Sequence, residues 1–295
     1  MPGLRDMYLS QLRFWKMIKG RVRALSSTHR NLKERITLKK TASIILTLLL
    51  VAALAACGGK GGQGTLTVFA AASMQEAMTE IGAAYMALHP DTVLAFNFDS
   101  SGALQTQIQE GAACDVFISA GQRQMDALEE DGLLLAGSRF DLLENKVALA
   151  VPEGNPAGIN SYDDLRAALA AGTVLLSMGG ADVPVGQYTQ KILAYLGLEE
   201  TALAASGSIT YASNAKEAAI QVSEAAVDCG IIYATDAFSA GLTVVDTASE
   251  AMCGQVIYPA AALAEGRTGE AEAFLDYLRT KGGAVLEGVG FTPLR

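Results

Sequence analysis

The chain has 295 residues, 51% of them apolar and a formal net charge of −9, which allows a sizeable core and excludes the Lys and Arg stripes on which nucleic-acid binding relies. The charge is unevenly spread: residues 1–56 hold 11 of the 22 Lys and Arg but 2 of the 31 Asp and Glu, leaving 11 cations against 29 carboxylates, about −18, in the remainder. A surface of that sign cannot hold an anion by its net field, so an anion site here must use local dipoles and hydrogen-bond donors.

The N-terminal part reads as a leader. Lys39 and Lys40 precede an apolar run at residues 41–56 that is shorter than the roughly 20 residues needed to cross a bilayer and ends in small residues before Cys57. The run resembles a bacterial lipoprotein signal, with Leu54-Ala55-Ala56-Cys57 as the lipobox and Cys57 as the lipidated residue. Residues 1–56 are then leader and signal peptide, residues 57–64 a Gly-rich flexible tether, and the rest an extracytoplasmic domain anchored to the cell membrane. Gly59, Gly61 and Gly64 satisfy a GxGxxG pattern by chance, because a dinucleotide fingerprint must follow a strand and open a helix.

From residue 65 the elements alternate. Residues 65–70 predict a strand that passes through Ala70-Ala71-Ala72 into Ser73, and Ser73 with Glu76 three residues on predicts a capping box opening a helix over 74–88. The arrangement recurs: a strand at 92–98 ends in Asp99-Ser100-Ser101-Gly102 before a helix over 103–110. A strand at 115–119, a helix at 122–130 and a strand at 146–151 follow, then the break VPEGNP at 151–156. Beyond it lie helices at 161–170, 185–196 and 215–226, strands at 173–178 and 230–234, an apolar return at 255–262 containing Pro259, and a helix at 269–279. The alternation predicts an α/β fold.

Each serine turn places a hydroxyl beside the free amides at the positive end of a helix, where an oxyanion is favoured. An ordinary N-cap is the simpler account of any one such serine, and the repetition argues for a shared ligand. Cys114, Cys229 and Cys253 are widely spaced, without CxxC pairing, and read as small buried residues. His29 lies in the leader, so His89 is the one histidine of the remaining chain, at the expected end of the first helix. GxSxG, HExxH and Walker A sequences are absent, which removes the reagents of the common hydrolases.

FAAAS at 69–73, SSG at 100–102, DVFISA at 115–120, DVPVGQY at 182–188 and GIIYATDA at 230–237 together resemble the molybdate-binding proteins of ABC importers, over nearly all of 64–295. The resemblance implies a two-lobed type II periplasmic-binding-protein fold with the ligand in the interlobe cleft. Residues 65–150 plus 255–295 then form lobe 1 and residues 151–254 lobe 2. It also implies the site: hydroxyls from Ser73 and Ser101, backbone amides at Val185 and Ala215, and the Tyr233 hydroxyl. No metal is coordinated directly and no cofactor is needed. The implied function is capture of molybdate, and of tungstate with it, by a non-enzymatic monomer that delivers the oxyanion to an ABC permease and its ATPase. Phosphate or sulfate is the alternative ligand, and a secreted phosphoryl or sulfuryl hydrolase using Ser73 as nucleophile is a further one that lacks a general base. Two departures from the family pattern stand out: Gly102 interrupts the serine run, and the Asp99 carboxylate beside Ser100 would repel an anion if it faced the cleft.

Overall fold

The computed structural model describes residues 64–294. The predicted leader, the lipobox with Cys57 and the tether up to residue 63 lie outside the described residues.

Strand β1 (Gly64–Ala71) runs through a 3-10 turn at Ala72–Met74 into α1 (Gln75–Leu88). Two more strand-helix units follow, β2 (Thr92–Asp99) with α2 (Ser101–Gln109) and β3 (Val116–Ile118) with α3 (Gln122–Glu130). Each helix returns the chain to the same starting edge, so β1 pairs in parallel with both β2 and β3. The carboxyl ends of the three strands therefore share one edge, and the turn at Ala72–Met74, Ser100 with Ser101, and Ala120 all sit there. That edge of an open α/β sheet is where ligands bind.

Strand β4 (Phe140–Asn145) completes the first passage and Lys146 carries the chain into a second sheet. There β5 (Val147–Val151), α4 (Tyr162–Ala171), β6 (Leu176–Gly179), α5 (Pro184–Tyr195) and α6 (Glu200–Ala205) are followed by β7 (Ile209–Ala212), α7 (Ala215–Ser223), β8 (Cys229–Tyr233), α8 (Ala234–Ser239), β9 (Thr243–Thr247) and α9 (Glu250–Cys253). The chain returns as β10 (Val256–Ala262) and ends with α10 (Thr268–Lys281), α11 (Gly283–Gly288) and β11 (Thr292–Pro293). The first sheet has the order β11-β4-β10-β3-β1-β2 and the second β7-β6-β8-β5-β9. Arriving from the other lobe, β10 enters the first sheet antiparallel to β3 and β4.

The segment at 146–151, expected as the last strand of lobe 1, belongs to the second sheet: β5 pairs antiparallel with β8 and β9. The first crossing thus falls at Lys146, ahead of the 150/151 boundary. All five residues of β5 are buried, and a run apolar on both faces carries no signal of which sheet it joins. His89 caps the end of α1 and stacks on Tyr85 with centroids 4.2 Å apart. Cys114, Cys229 and Cys253 are buried free thiols, and burial pushes the first two up to about 12. Among the described residues no helix is long and apolar enough to cross a membrane.

Candidate functional site

The five predicted site residues lie where the two lobes meet, and they are enclosed: exposure is 8% at Ser73, 0% at Ser101 and Val185, 5% at Ala215 and 1% at Tyr233. The lobes are closed over them. A cavity of about 280 Å³ remains beside them, lined by Ser100 and Gly102 from one lobe and Asp182, Val183 and Ser213 from the other. None of the five lines this cavity or a larger one of about 570 Å³ bordered by Arg123 and Lys191.

Neither serine caps its helix through its side chain. Ser73 sits inside the 3-10 turn, α1 starts two residues later at Gln75 with Met74 at its N-cap and no side-chain cap bond, and Glu76 pairs with Lys216 of the other lobe. The capping box predicted from Ser73 and Glu76 is therefore not formed, because the tight turn leaves Ser73 short of the N-cap position and turns its hydroxyl toward Tyr258, with oxygens 3.0 Å apart. At α2 the cap is Ser100, whose hydroxyl accepts from the Ala103 amide at 3.2 Å. Ser101, one residue further, is left for other work, and its Oγ accepts from the Ala120 amide at 2.9 Å.

Three elements converge on that amide's residue. The Tyr233 hydroxyl, at the end of β8, donates to the Ala120 carbonyl at 3.2 Å and so bridges the lobes. Its ring packs edge-on against Tyr258, with centroids 5.6 Å apart, and against Tyr188, 6.4 Å away. Tyr188 is thus a packing partner of the site. Burial, with the neighbouring tyrosines adding to it, holds the Tyr233 hydroxyl well above its usual range, and burial with the Asp236 charge does the same for Tyr258. Both remain protonated donors.

Tyr258 and Asn145 carry the site's inner support, and the sequence reading missed both. The Asn145 side-chain amide donates to Tyr258 Oη at 3.1 Å and to Thr235 Oγ1 at 3.0 Å, and its oxygen accepts from the Lys146 amide at 2.8 Å. That fixes Asn145 at the crossing between the lobes. Tyr258 and Ser73 share one hydrogen bond but have two hydroxyl protons between them, so one proton is left to offer. Ser101 likewise accepts from Ala120 and keeps its own proton.

Val185 and Ala215 contribute position rather than side-chain chemistry. Val185 follows Pro184 at the start of α5 and Ala215 is the first residue of α7, where backbone amides have no intrahelical partner. Gly186 lets α5 approach the preceding loop, since a Cβ there would overlap the carbonyl oxygens of Gly179 and Gly180. The start of α7 is in contact with the Ala72–Met74 turn. Asn214 caps α7 by accepting from the Glu217 amide at 2.9 Å. Lys216, in the first turn of α7, is the cation beside the site, shared with Glu76.

The two departures noted in the sequence have structural accounts. Asp99 accepts from the Ser100 amide at 2.7 Å, which occupies its carboxylate at the turn. Gly102 lies against the Asp182 backbone of the other lobe, and a Cβ there would overlap the Asp182 carbonyl oxygen. Asp115 of the DVFISA motif is a structural anchor, accepting from the amides of Thr67 and Arg267 at 2.6 and 2.7 Å. Among the described residues no group of His, Cys, Asp and Glu is placed to hold a metal ion. The hydroxyls of Ser73, Ser101 and Tyr258 and the amides at the helix starts give the site neutral donors, which suit an anion that needs donors and no acceptor.

Residues 66–292 match the family model of bacterial extracellular solute-binding proteins. The chain is 32% identical over 232 residues to YvgL of Bacillus subtilis, named for the ABC transporter substrate-binding lipoproteins, covering 77% of this chain and 86% of that one. It is 32% identical over 236 residues to the molybdate-binding protein ModA of Escherichia coli, covering 78% and 90%. The periplasmic molybdate-binding protein of Azotobacter vinelandii has the same fold, with a TM-score of 0.68 at 21% identity over 78% of this chain and all of that one.

Proposed function

The chain belongs to the bacterial extracellular solute-binding proteins, and from that premise we propose that it captures molybdate, and tungstate with it, and delivers the oxyanion to an ABC permease and its cytoplasmic ATPase. The observation that carries the ligand class is the set of hydroxyls of Ser73, Tyr258 and Ser101, each held by a neutral partner, enclosed between two lobes beside the starts of α5 and α7. A fully deprotonated tetrahedral dianion asks for donors alone, and the helix starts offset its charge. The Escherichia coli relative is named for molybdate. The protein works as a binding component and not as an enzyme.

The lipobox ending in Cys57 supports anchoring by lipid at the outer face of the cell membrane, and the Bacillus subtilis relative is named as a lipoprotein. A monomer suffices, because both halves of the site come from one chain. Binding would favour the closed arrangement of the lobes, which the permease reads.

Calorimetry with molybdate, tungstate, sulfate and phosphate tests the reading. Donors spaced for a large oxyanion cannot all reach sulfate, and each lost bond costs about 0.5–1.5 kcal/mol, so sulfate should bind about a hundredfold more weakly. Equal affinities for sulfate and molybdate would reject the molybdate assignment.

A further inference from the structure

One group at the site does not fit a lining of donors. Asp236, in the first turn of α8, is 6% exposed, and its Oδ2 is sealed from solvent with no hydrogen-bond partner among the described residues. The charged and titratable groups that face it come from four elements: Lys216 of α7, which attracts its negative form, Glu76 of α1, which repels it, and the hydroxyls of Tyr233 on β8 and Tyr258 on β10. Lys216 is already engaged by Glu76, so Asp236 has only a shared countercharge. These are the elements that bring Ser73, Ala215 and Tyr233 together. Its neighbour Thr235 is tied through Asn145 to Tyr258.

A buried carboxylate without donors is costly, whereas the neutral acid needs no countercharge and gains a proton to donate. We propose that Asp236 is the proton acceptor of the site: it is a neutral carboxylic acid in the oxyanion-bound state, so capture of a dianion by the ionised protein takes up one proton from solvent onto Asp236. The inference rests on the oxyanion reading above. The balance is simple, since the dianion and one proton enter together and no bond of the oxyanion is broken. Burial, offset by Lys216 and reinforced by Glu76, pushes the Asp236 carboxyl up to about 7 in the ligand-free protein. A dianion nearby disfavours its ionised form further.

The test is calorimetry of micromolar molybdate binding at pH 6 and pH 8 in buffers of different ionisation heat, which counts protons taken up. The expected count is small at pH 6 and approaches about one per anion at pH 8, with affinity falling by up to about tenfold per pH unit above 7. Asp236→Asn should bind molybdate with a count near zero at both pH values and a flat affinity profile. Asp236→Ser, which also holds no charge, gives the same reading if the amide variant does not fold. Molybdate binding at pH 8 with no proton uptake, or uptake that persists in both variants, overturns the assignment of Asp236 while leaving the oxyanion reading intact. No binding of any oxyanion at either pH overturns both.

Discussion

Gly102 of one lobe packs directly against the backbone carbonyl of Asp182 in the other, at a distance that only glycine permits. Because Gly102 lies within the first turn of α2, alanine there is acceptable to the helix itself and favours it by roughly 0.5–1 kcal/mol. The conflict arises only when the lobes meet. Gly102→Ala should therefore leave thermal stability unchanged or slightly raised while weakening molybdate binding by about tenfold or more, since closure is opposed. Calorimetry beside a melting curve reads both effects, and an unchanged affinity would mean that the closed contact contributes nothing to capture.

Adjacent serines in α2 separate capping from ligand binding. Ser100→Ala removes the cap bond to Ala103 and should cost about 1 kcal/mol of stability with affinity within about twofold of the parent. Ser101→Ala leaves the buried Ala120 amide without its acceptor, at about 1–3 kcal/mol. It also removes a donor to a charged ligand, which should weaken molybdate binding by about ten- to a hundredfold. Denaturant melts should show a loss in both variants, whereas titrations should show one only in Ser101→Ala; a folded Ser101→Ala protein that binds molybdate like the parent would show that Ser101 does not face the anion.

The ligand-free protein should lose stability as pH rises from about 4 to about 7, through the Asp236 carboxyl. Its ordinary value is 3.8 and burial raises it to about 7 in the folded state. A raised value means that the folded protein holds the proton more tightly than the unfolded chain, so the contribution is complete below pH 4, fades through pH 7 and is constant above. Melts of the parent and of Asp236→Asn between pH 4 and 8 should show the variant gaining relative to the parent as pH rises. A pH-independent difference would count against a neutral Asp236.

Much of this site could be read from the sequence, and the unread part has physical causes. Strands passing through small residues into Ser73 and Ser101 mark the sheet edge at which the candidate site lies, because a strand-to-helix junction is a local pattern. Residue type does not tell which of Ser100 and Ser101 caps α2, and the capping box expected from Ser73 and Glu76 is not formed, since the 3-10 turn at Ala72–Met74 leaves no trace in residue type. Tyr258 and Asn145 escaped notice because they lie 185 and 72 positions along the chain from Ser73, and only the pairing of β10 and β4 brings them to it. Asp236 lies within GIIYATDA, just past the predicted strand at 230–234, and a carboxylate in the first turn of a helix is common enough to give no signal of burial.

Anchoring is separable from capture. Cys57→Ser should release the protein from membranes into the soluble fraction without altering molybdate affinity, because the Gly-rich segment 58–64 separates the proposed lipidation site from the folded domain. Fractionation with immunodetection, together with titration of the released protein, checks both parts. Retention of the variant in the membrane would point to the apolar run at 41–56 as an uncleaved anchor.

The hydroxyls of Ser73 and Tyr258 should behave as one unit. They are joined by a single hydrogen bond, and Asn145 donates to Tyr258, so one hydroxyl proton of the pair is spent between them and the pair, aligned by that bond, offers the other to the ligand. Ser73→Ala and Tyr258→Phe should each weaken molybdate binding by about ten- to a hundredfold, the range for a hydrogen bond to a charged group. The double variant should lose little more than the worse single one, giving a coupling of roughly 0.5–3 kcal/mol in a double-mutant cycle. Tyr233→Phe differs: it removes the interlobe bond to the Ala120 carbonyl while its ring keeps its contacts with Tyr188 and Tyr258, so its loss should be smaller, about 0.5–1.5 kcal/mol, and should add to that of Ser73→Ala. Strict additivity between Ser73 and Tyr258 would show that the pair does not act as one donor, and that each hydroxyl meets the anion on its own.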